Sequence, residues 1–379
     1  MSLDLALLGK KIRLYREQFE ASISDVAERT GLNHGDLAAF EAGRKEPTGD
    51  ELLILADYFK CDYRFFVSND APGAFKQTDV LFRKHGDVLT GADRWAIQEF
   101  LHLCEIEQFL WQALGVKPEV FYFEKRGTFL KAHAEDAAEA LRRHLGYQPN
   151  AIPDNVYDVF RRFGIHVFRR RLQASTISGL CVHHPEAGPC VLVNYSEDVF
   201  RQRFTAAHEA AHAFLDADQE VVVSYKNSRE LTETRANVFA SRFLLPPRTL
   251  AELPDPGRWG QSETKNFAVR LKVSTHALAI ALKDAGLISD AKHHQLRRVR
   301  IPRSEKVDPE LPPALAQGPR RRKEEMLMRG LSENYVELCF RAHEAGVISQ
   351  GRLAEALLVD ATTLPQVAAL YRHRIVYGE

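Results

Sequence analysis

The chain has 379 residues, 45% of them apolar and 27% charged, an ordinary balance for folded protein and enough length for two or three domains. Lysine plus arginine and aspartate plus glutamate number 51 each, so overall charge points to neither nucleic acid nor membrane. Cys61, Cys104, Cys181, Cys190 and Cys339 are scattered with no C-x-x-C pair, which argues against a disulfide framework or a cysteine metal site and for free thiols.

Met1 to Phe19 has no basic head followed by a long apolar run, and no later stretch approaches the roughly 18 apolar residues of a membrane helix. A cytoplasmic chain that does not cross a membrane is the expectation. Residues 5–68 read as short helices. Leu8, Ile12, Leu14 and Tyr15 recur at near-helical spacing. Ser22 can cap a helix that Gly31 stops, and Asn33 can cap the next, which carries Leu37 and Phe40 and ends at Gly43. Asp50 opens a fourth helix. Residues 69–91 read as a linker. Residues 92–114 form an amphipathic helix with Trp95, Phe100, Leu103, Ile106, Phe109 and Leu110 on one stripe, packing on its own domain or seaming a homodimer.

Helices are expected over 129–145 and 156–163, then a strand from Ile165 to Phe168 after the break at Gly164. Ile177 to Val182 and Cys190 to Asn194 read as a hairpin around Pro185, Gly188 and Pro189. A helix follows over 197–215, another over 229–244 ending at Pro246-Pro247, and a helical pair over 262–285. Residues 291–330 hold eleven basic and five acidic residues with clustered prolines, the composition of a solvated basic linker. Residues 331–375 return to helical pattern. The division expected is 1–70, 71–127, 128–290, 291–330 and 331–379.

Chemistry concentrates in Arg203-Phe-Thr-Ala-Ala-His208-Glu209-Ala-Ala-His212. Positions four apart share a helix face, so His208 and His212 can aim both imidazoles at one metal. Glu209 projects beside them, where it can take the proton of an attacking water as general base. The helix also carries Phe204, Ala207, Ala211, Phe214 and Leu215, so a His-Glu-His face inside it needs a reason. A catalytic zinc wants a third protein ligand. The helix that follows offers Glu230 and Glu233; spacing leaves both open, with Glu233 sharing a face with Asn237 and Ala240. Two imidazoles and a carboxylate suit Zn2+ and also Mn2+ or iron. His183 and His184, in the hairpin loop, read as an exposed pair rather than a second metal site.

These motifs, with the strand ending in Asn194, Glu233-x-x-Ala-Asn-x-Phe-Ala and Leu244-Leu-Pro, resemble the ImmA/IrrE family of metallopeptidases over residues 128–290. The resemblance implies a gluzincin-like HExxH metalloendopeptidase with a zincin-like α+β domain and small sheet, His208, His212 and Glu233 as metal ligands and Glu209 as catalytic base. It implies a regulatory protease that cleaves a helix-turn-helix repressor under stress or prophage induction. Residues 8–67 resemble the XRE-type helix-turn-helix, on Val26-Ala27, Gly31, Leu37, Phe40-Glu41, Gly43 and Pro47. The expected architecture is therefore multidomain and mainly α, closed by a helical C-terminal tail. DNA contacts would fall on Lys10, Lys11, Asn33, His34, Arg44 and Lys45. The recognition helix offers little for reading bases, since His34, Gly35, Asp36, Ala38 and Ala39 hold no Arg, Lys, Gln or Asn. A protein substrate is expected to dock as an added strand along Val191, Val193 and Asn194. The rival reading is a DNA-binding regulator or antitoxin-like protein whose peptidase fold acts as a sensor.

Overall fold

Short capped helices open the chain in the computed structural model, which describes residues 3–61, 63–69, 81, 88–124, 130–174, 176–217, 219, 221–225, 231–311 and 314–375. The described residues divide into two compact units, the first holding Met1–Glu105 with Leu172–Ala174 and the second Ile106–Arg171 with Ser175–Glu379.

In the first unit α1 (Leu5–Gln18), α2 (Ile23–Thr30), α3 (His34–Glu41), α4 (Gly49–Phe59) and α5 (Arg64–Val67) follow in order. The local chemistry sets their ends. Ser22 and Asp25 form a reciprocal capping box at the start of α2, and Gly31 ends it with φ +73°, a left-handed conformation that costs glycine nothing. Asn33 Oδ1 then accepts from the Gly35 and Asp36 amides and starts α3. Tyr15, Phe19, Phe59 and Phe66 form an aromatic core, and Trp95 stacks on Phe19 with ring centroids 4.1 Å apart. Trp95 belongs to α6 (Gly91–Ala113), so the helix expected beyond a linker begins inside this core. The unit boundary falls within it, between Glu105 and Ile106. Its apolar stripe is buried at Phe100, Leu103, Ile106 and Leu110, with Phe109 left exposed. Most of the 69–91 linker lies outside the described residues.

The second unit is built on a four-stranded sheet: β1 (His166–Arg170), β2 (Ile177–His184), β3 (Gly188–Asn194) and β4 (Val221–Tyr225), in the order β1-β3-β2-β4. β1 runs parallel to β3; β2 runs antiparallel to both β3 and β4. The expected hairpin is present, but its strands are the two interior ones. Both edges of β3 are taken, so no substrate strand can add along Val191, Val193 and Asn194. The hairpin reads as a sheet edge in the sequence because nothing there shows that the strand expected at 165–168 pairs with β3, or that β4 flanks β2. Asn194 instead pins the hairpin: its Nδ2 donates to the Ile177 carbonyl at 2.9 Å and its Oδ1 accepts from the Ser196 amide.

One sheet face is covered by α9 (Val199–Leu215), which follows α7 (Leu130–His144) and α8 (Val156–Arg162). Ala206, Ala207, Ala210 and Ala211 are buried in this shared core, and such small side chains let a helix backbone lie close to the strands. α10 (Leu231–Leu244) packs on α9 and α7, where the Arg142 guanidinium donates to the Phe243 carbonyl at 2.8 Å. Farther on come α11 (Pro247–Ala251), α12 (Gln261–Arg270), α13 (Thr275–Asp284), α14 (Asp290–Leu296), α15 (Gln317–Leu327) and three closing helices over 333–371.

The stretch 291–330 differs from the solvated linker expected. Asp308 and Glu310 are buried. Arg169 on β1 makes a two-pronged pair with Asp308 at 2.8 and 2.9 Å, and Arg161 on α8 meets Glu310 at 2.6 Å. Two arginines inside the unit cannot be left without counterions, so an acidic pair in a mostly basic segment is drawn in against them.

Candidate metal centre

Asp198 caps α9 by accepting from the Phe200 amide, and Arg203 ties the helix down by donating to the carbonyls of Pro153 and Asp154, both at 2.6 Å. This fixes the turn that carries His208, Glu209 and His212. All are buried, with relative exposures of 5%, 0% and 0%, and Glu233 on α10 reaches them from the neighbouring helix at 5%. His208 Nε2 lies 3.2 Å from His212 Nε2 and 3.3 Å from Glu233 Oε2; His212 Nε2 lies 3.2 Å from Glu233 Oε1. Among the described residues no other three His, Cys, Asp or Glu side chains converge in this way. Glu230, the alternative acidic residue, lies outside the described residues.

The outer nitrogen of each imidazole settles its tautomer. His212 Nδ1 donates to Asp216 Oδ2 at 2.8 Å, and Asp216 is braced by Arg235. His208 Nδ1 donates to Asn237 Oδ1 at 3.1 Å. Both Nε2 atoms are then lone pairs when the rings are neutral. Two nitrogen lone pairs and a carboxylate facing one point call for a positive charge. Without a metal, a proton would meet that demand. Burial opposes the imidazolium of His212, yet hydrogen bonds to Asp216 and Glu233 hold its pKa up at about 9. Burial likewise opposes ionised Glu233, but its contacts with the His208 and His212 rings bring it down to about 2. A tetrahedral zinc with ligands at about 2.0 to 2.1 Å separates them by roughly 3.3 Å. The spacings here match that value, so the three residues fit a zinc ion without rearrangement.

Glu209 stands apart from this network. Neither carboxylate oxygen has a partner at full hydrogen-bond geometry, and burial raises its pKa to about 7 while His208, His212 and the nearby Ser224 hydroxyl pull the other way. Its place depends on Gly179 of β2. A Cβ there would meet Glu209 Oε1 at 2.8 Å, Thr205 Cγ2 at 2.7 Å and the Leu192 carbonyl oxygen at 2.8 Å. Ser224, on β4, has its Oγ 3.1 Å from His208 Nε2. Asp216, Arg235, Gly179 and Ser224 went unnoticed in the sequence. The run Val221-Val-Val was a legible strand signal, and with it Ser224 would have stood next to the motif.

The centre opens on a cleft of about 1230 Å³. Phe204, Val238, Ile280 and Ile301 give it apolar walls, and Arg201, Arg300 and Lys306 stand on its lining. His183 and His184 take no part: His183 Nδ1 meets the Gln219 carbonyl and His184 Nδ1 accepts from the Ala187 amide.

In the first unit the sequence-derived DNA contacts separate. Lys10, His34 and Arg44 are exposed. Lys11 is not available: it is 1% exposed and its ammonium donates to the carbonyls of Phe65 and Ser68, at 2.6 and 2.7 Å. Its helical position beside Lys10 hid the fact that it faces inward, where the end of α5 needs a donor. Asn33 Oδ1 is engaged in the cap of α3, and Lys45 pairs with Asp36 at 2.7 Å.

A buried His-Glu-His face completed by a carboxylate from the next helix is a metallopeptidase-like arrangement, and the same chain carries a helix-turn-helix. Comparison with known proteins falls on the same residues. Residues 160–283 match the family model of the IrrE N-terminal-like domain, and residues 12–66 match the helix-turn-helix model. Over 102 residues the chain is 32% identical to the radiation response metalloprotease IrrE of Deinococcus radiodurans. That overlap is 25% of this chain and 30% of the relative, so the chain spans less than a third of the curated relative it matches. The chain thus combines an IrrE/ImmA-like peptidase domain with a helix-turn-helix domain.

Proposed function

We propose that the chain is a zinc-dependent endopeptidase of the HExxH, gluzincin-like type, with His208, His212 and Glu233 holding the metal, Glu209 as general base, and a helix-turn-helix repressor as substrate. The observation that carries the reading is the convergence of three lone-pair donors at zinc spacing beside a buried carboxylate with no partner. Bound there, zinc or manganese supplies Lewis-acid polarisation of the scissile carbonyl and lowers the pKa of water towards about 7. The chain's own residues do the rest. Glu209 receives the proton of the attacking water at a carboxylate oxygen and returns it to the leaving amine, a role suited by a pKa raised towards neutrality. Asp216 and Asn237 keep both imidazoles in the ligating tautomer.

A peptide bond crossing this centre needs extended chain on either side. The β4 strand supports such docking. Among the described residues it pairs only with β2, and its Ser224 lines the cleft, so its outer edge can hold an extended segment by main-chain hydrogen bonds. Domains at 1–70 and 128–290, a cytoplasmic location and weak DNA binding through Lys10, His34 and Arg44 belong to the same reading. The test uses Glu209→Gln. This variant is expected to keep fold and metal, to capture an uncut helix-turn-helix repressor, and to lose about 10² to 10⁴ in rate. Undiminished cleavage by it, or no repressor cut by the wild type with any metal, defeats the proposal.

A further inference from the structure

We propose that Ser224 is a positioning residue of the centre: its hydroxyl holds the Glu209 carboxylate once His208 Nε2 is committed to a metal. The inference rests on the metallopeptidase reading above. It starts from the pattern of β4. Side chains two apart on a strand share a face. Val222 belongs to the core beneath α9, so the residue two further on should continue that core as an apolar side chain. Ser224 stands there instead, 3% exposed. A hydroxyl buried in such a place must have a partner.

The acceptor within hydrogen-bond distance is His208 Nε2. With Nδ1 of this ring donating to Asn237, Nε2 is an acceptor, and the Ser224 hydroxyl donates to it at 3.1 Å. The same lone pair is the one a metal would take. Ser224 must then turn to another acceptor or stay buried and unsatisfied. The sheet register brings one beside it. Ser224 is the cross-strand partner of Gly179, and Glu209 Oε1 lies 2.8 Å from where a Cβ on Gly179 would be. Directly opposite Cβ positions in a sheet are about 4.5 to 5.5 Å apart. The Glu209 carboxylate therefore sits over Gly179 next to the Ser224 hydroxyl, and both its oxygens are buried without a partner. One donor and two empty acceptors leave a division of labour: one oxygen is held by Ser224 and the other stays free to take a proton.

Threonine and valine have the same shape and differ only in hydroxyl against methyl, so Ser224→Thr and Ser224→Val separate this role from packing; Ser224→Ala is the smaller control. All are examined as full chains loaded with Co(II). Each is expected to bind one Co(II) per chain. With a fluorogenic peptide cut by the wild type, the Val and Ala variants are expected to lose about tenfold to a hundredfold in kcat, the range for a hydrogen bond to a charged group, with KM within about twofold. The Thr variant is expected to stay near the wild type. The Co(II) visible absorption should be altered in Val and Ala and unaltered in Thr. Equal activity in Thr and Val overturns the proposal, and so does loss of Co(II) in Val alone, which would make the hydroxyl a ligand. Should the wild type bind Co(II) but cut nothing, the peptidase reading fails and the spectra decide Ser224 by themselves: an unaltered Val spectrum overturns it, an altered one upholds it. If Thr does not fold, the comparison of Ala with the wild type decides on the same two readouts.

Discussion

Replacing Gly179 by alanine should disable the centre while leaving its metal in place. The added methyl would lie 2.8 Å from Glu209 Oε1, 2.7 Å from Thr205 Cγ2 and 2.8 Å from the Leu192 carbonyl oxygen. The Glu209 side chain can swing aside, but Leu192 is backbone of interior strand β3 and cannot. Relief to ordinary contact needs a shift of roughly half an ångström or more, shared between β2, α9 and the carboxylate. Overpacking of this kind costs about 1 to 3 kcal/mol. Displacing the base by up to about 1 Å costs on the order of 10² in rate. The three atoms nearest the new methyl belong to none of His208, His212 and Glu233, so metal stoichiometry should hold. Urea unfolding, metal analysis and turnover of a peptide substrate measure the three quantities on one preparation. Wild-type stability together with wild-type turnover would refute the steric argument. Lost metal with unchanged turnover would refute the assignment of Glu209 and the ligands to separate tasks.

Asp216→Asn keeps the shape of the group that accepts from His212 Nδ1 but removes its charge and its pairing with Arg235; metal affinity should fall about 10- to 100-fold, read by competition with a chelating dye, and an unchanged affinity would contradict the bracing role. Metal uptake should also be linked to pH. His212 carries its proton in the metal-free chain up to about pH 9 and must lose it to ligate, so binding near pH 7 should release about one proton per chain, vanishing above about pH 9. Calorimetry in buffers of different ionisation enthalpy measures this, and zero release at pH 7 would count against the account. His212 and Glu233, with Glu209, also contribute to how the metal-free chain's stability varies with pH. His212 contributes fully below about pH 6.5 and is lost as pH rises through about 9. Glu233 contributes above about pH 4.5 and is lost as pH falls through about 2, while Glu209, raised to about 7, contributes below about pH 4.5 and is lost as pH rises through about 7. A thermal-shift series should therefore peak near about pH 4.5 and decline towards pH 9, and stability rising steadily to pH 9 would be inconsistent with it.

The helix-borne part of the centre was legible because its spacing is local. His208, Glu209 and His212 lie within one turn, and Glu233 shares a face with Asn237 on the next long helix, so one period describes each set. The parts contributed across the sheet were not. Gly179 matters through what stands above it, and Ser224 through its register with β2; neither follows from neighbours in sequence. The substrate strand was misplaced because the pairing of β1 with β3 is not visible in the sequence, and missing β4 hid the strand whose outer edge is unpaired among the described residues. Charge patterning failed in the opposite way at 291–330: composition identified a basic segment but not that Asp308 and Glu310 answer Arg169 and Arg161 from inside the fold. Lys11 was read as a surface cation for the same reason, because its partners are carbonyls more than 50 residues away.

Metal content of the purified chain and its ligand variants tests the central claim most directly. The account predicts one zinc or manganese ion per wild-type chain and one in Glu209→Gln. Occupancy should be lost in His208→Ala, His212→Ala and Glu233→Gln, and retained in Glu230→Ala. Full occupancy in the two histidine variants, or loss in Glu230→Ala with retention in Glu233→Gln, would contradict it.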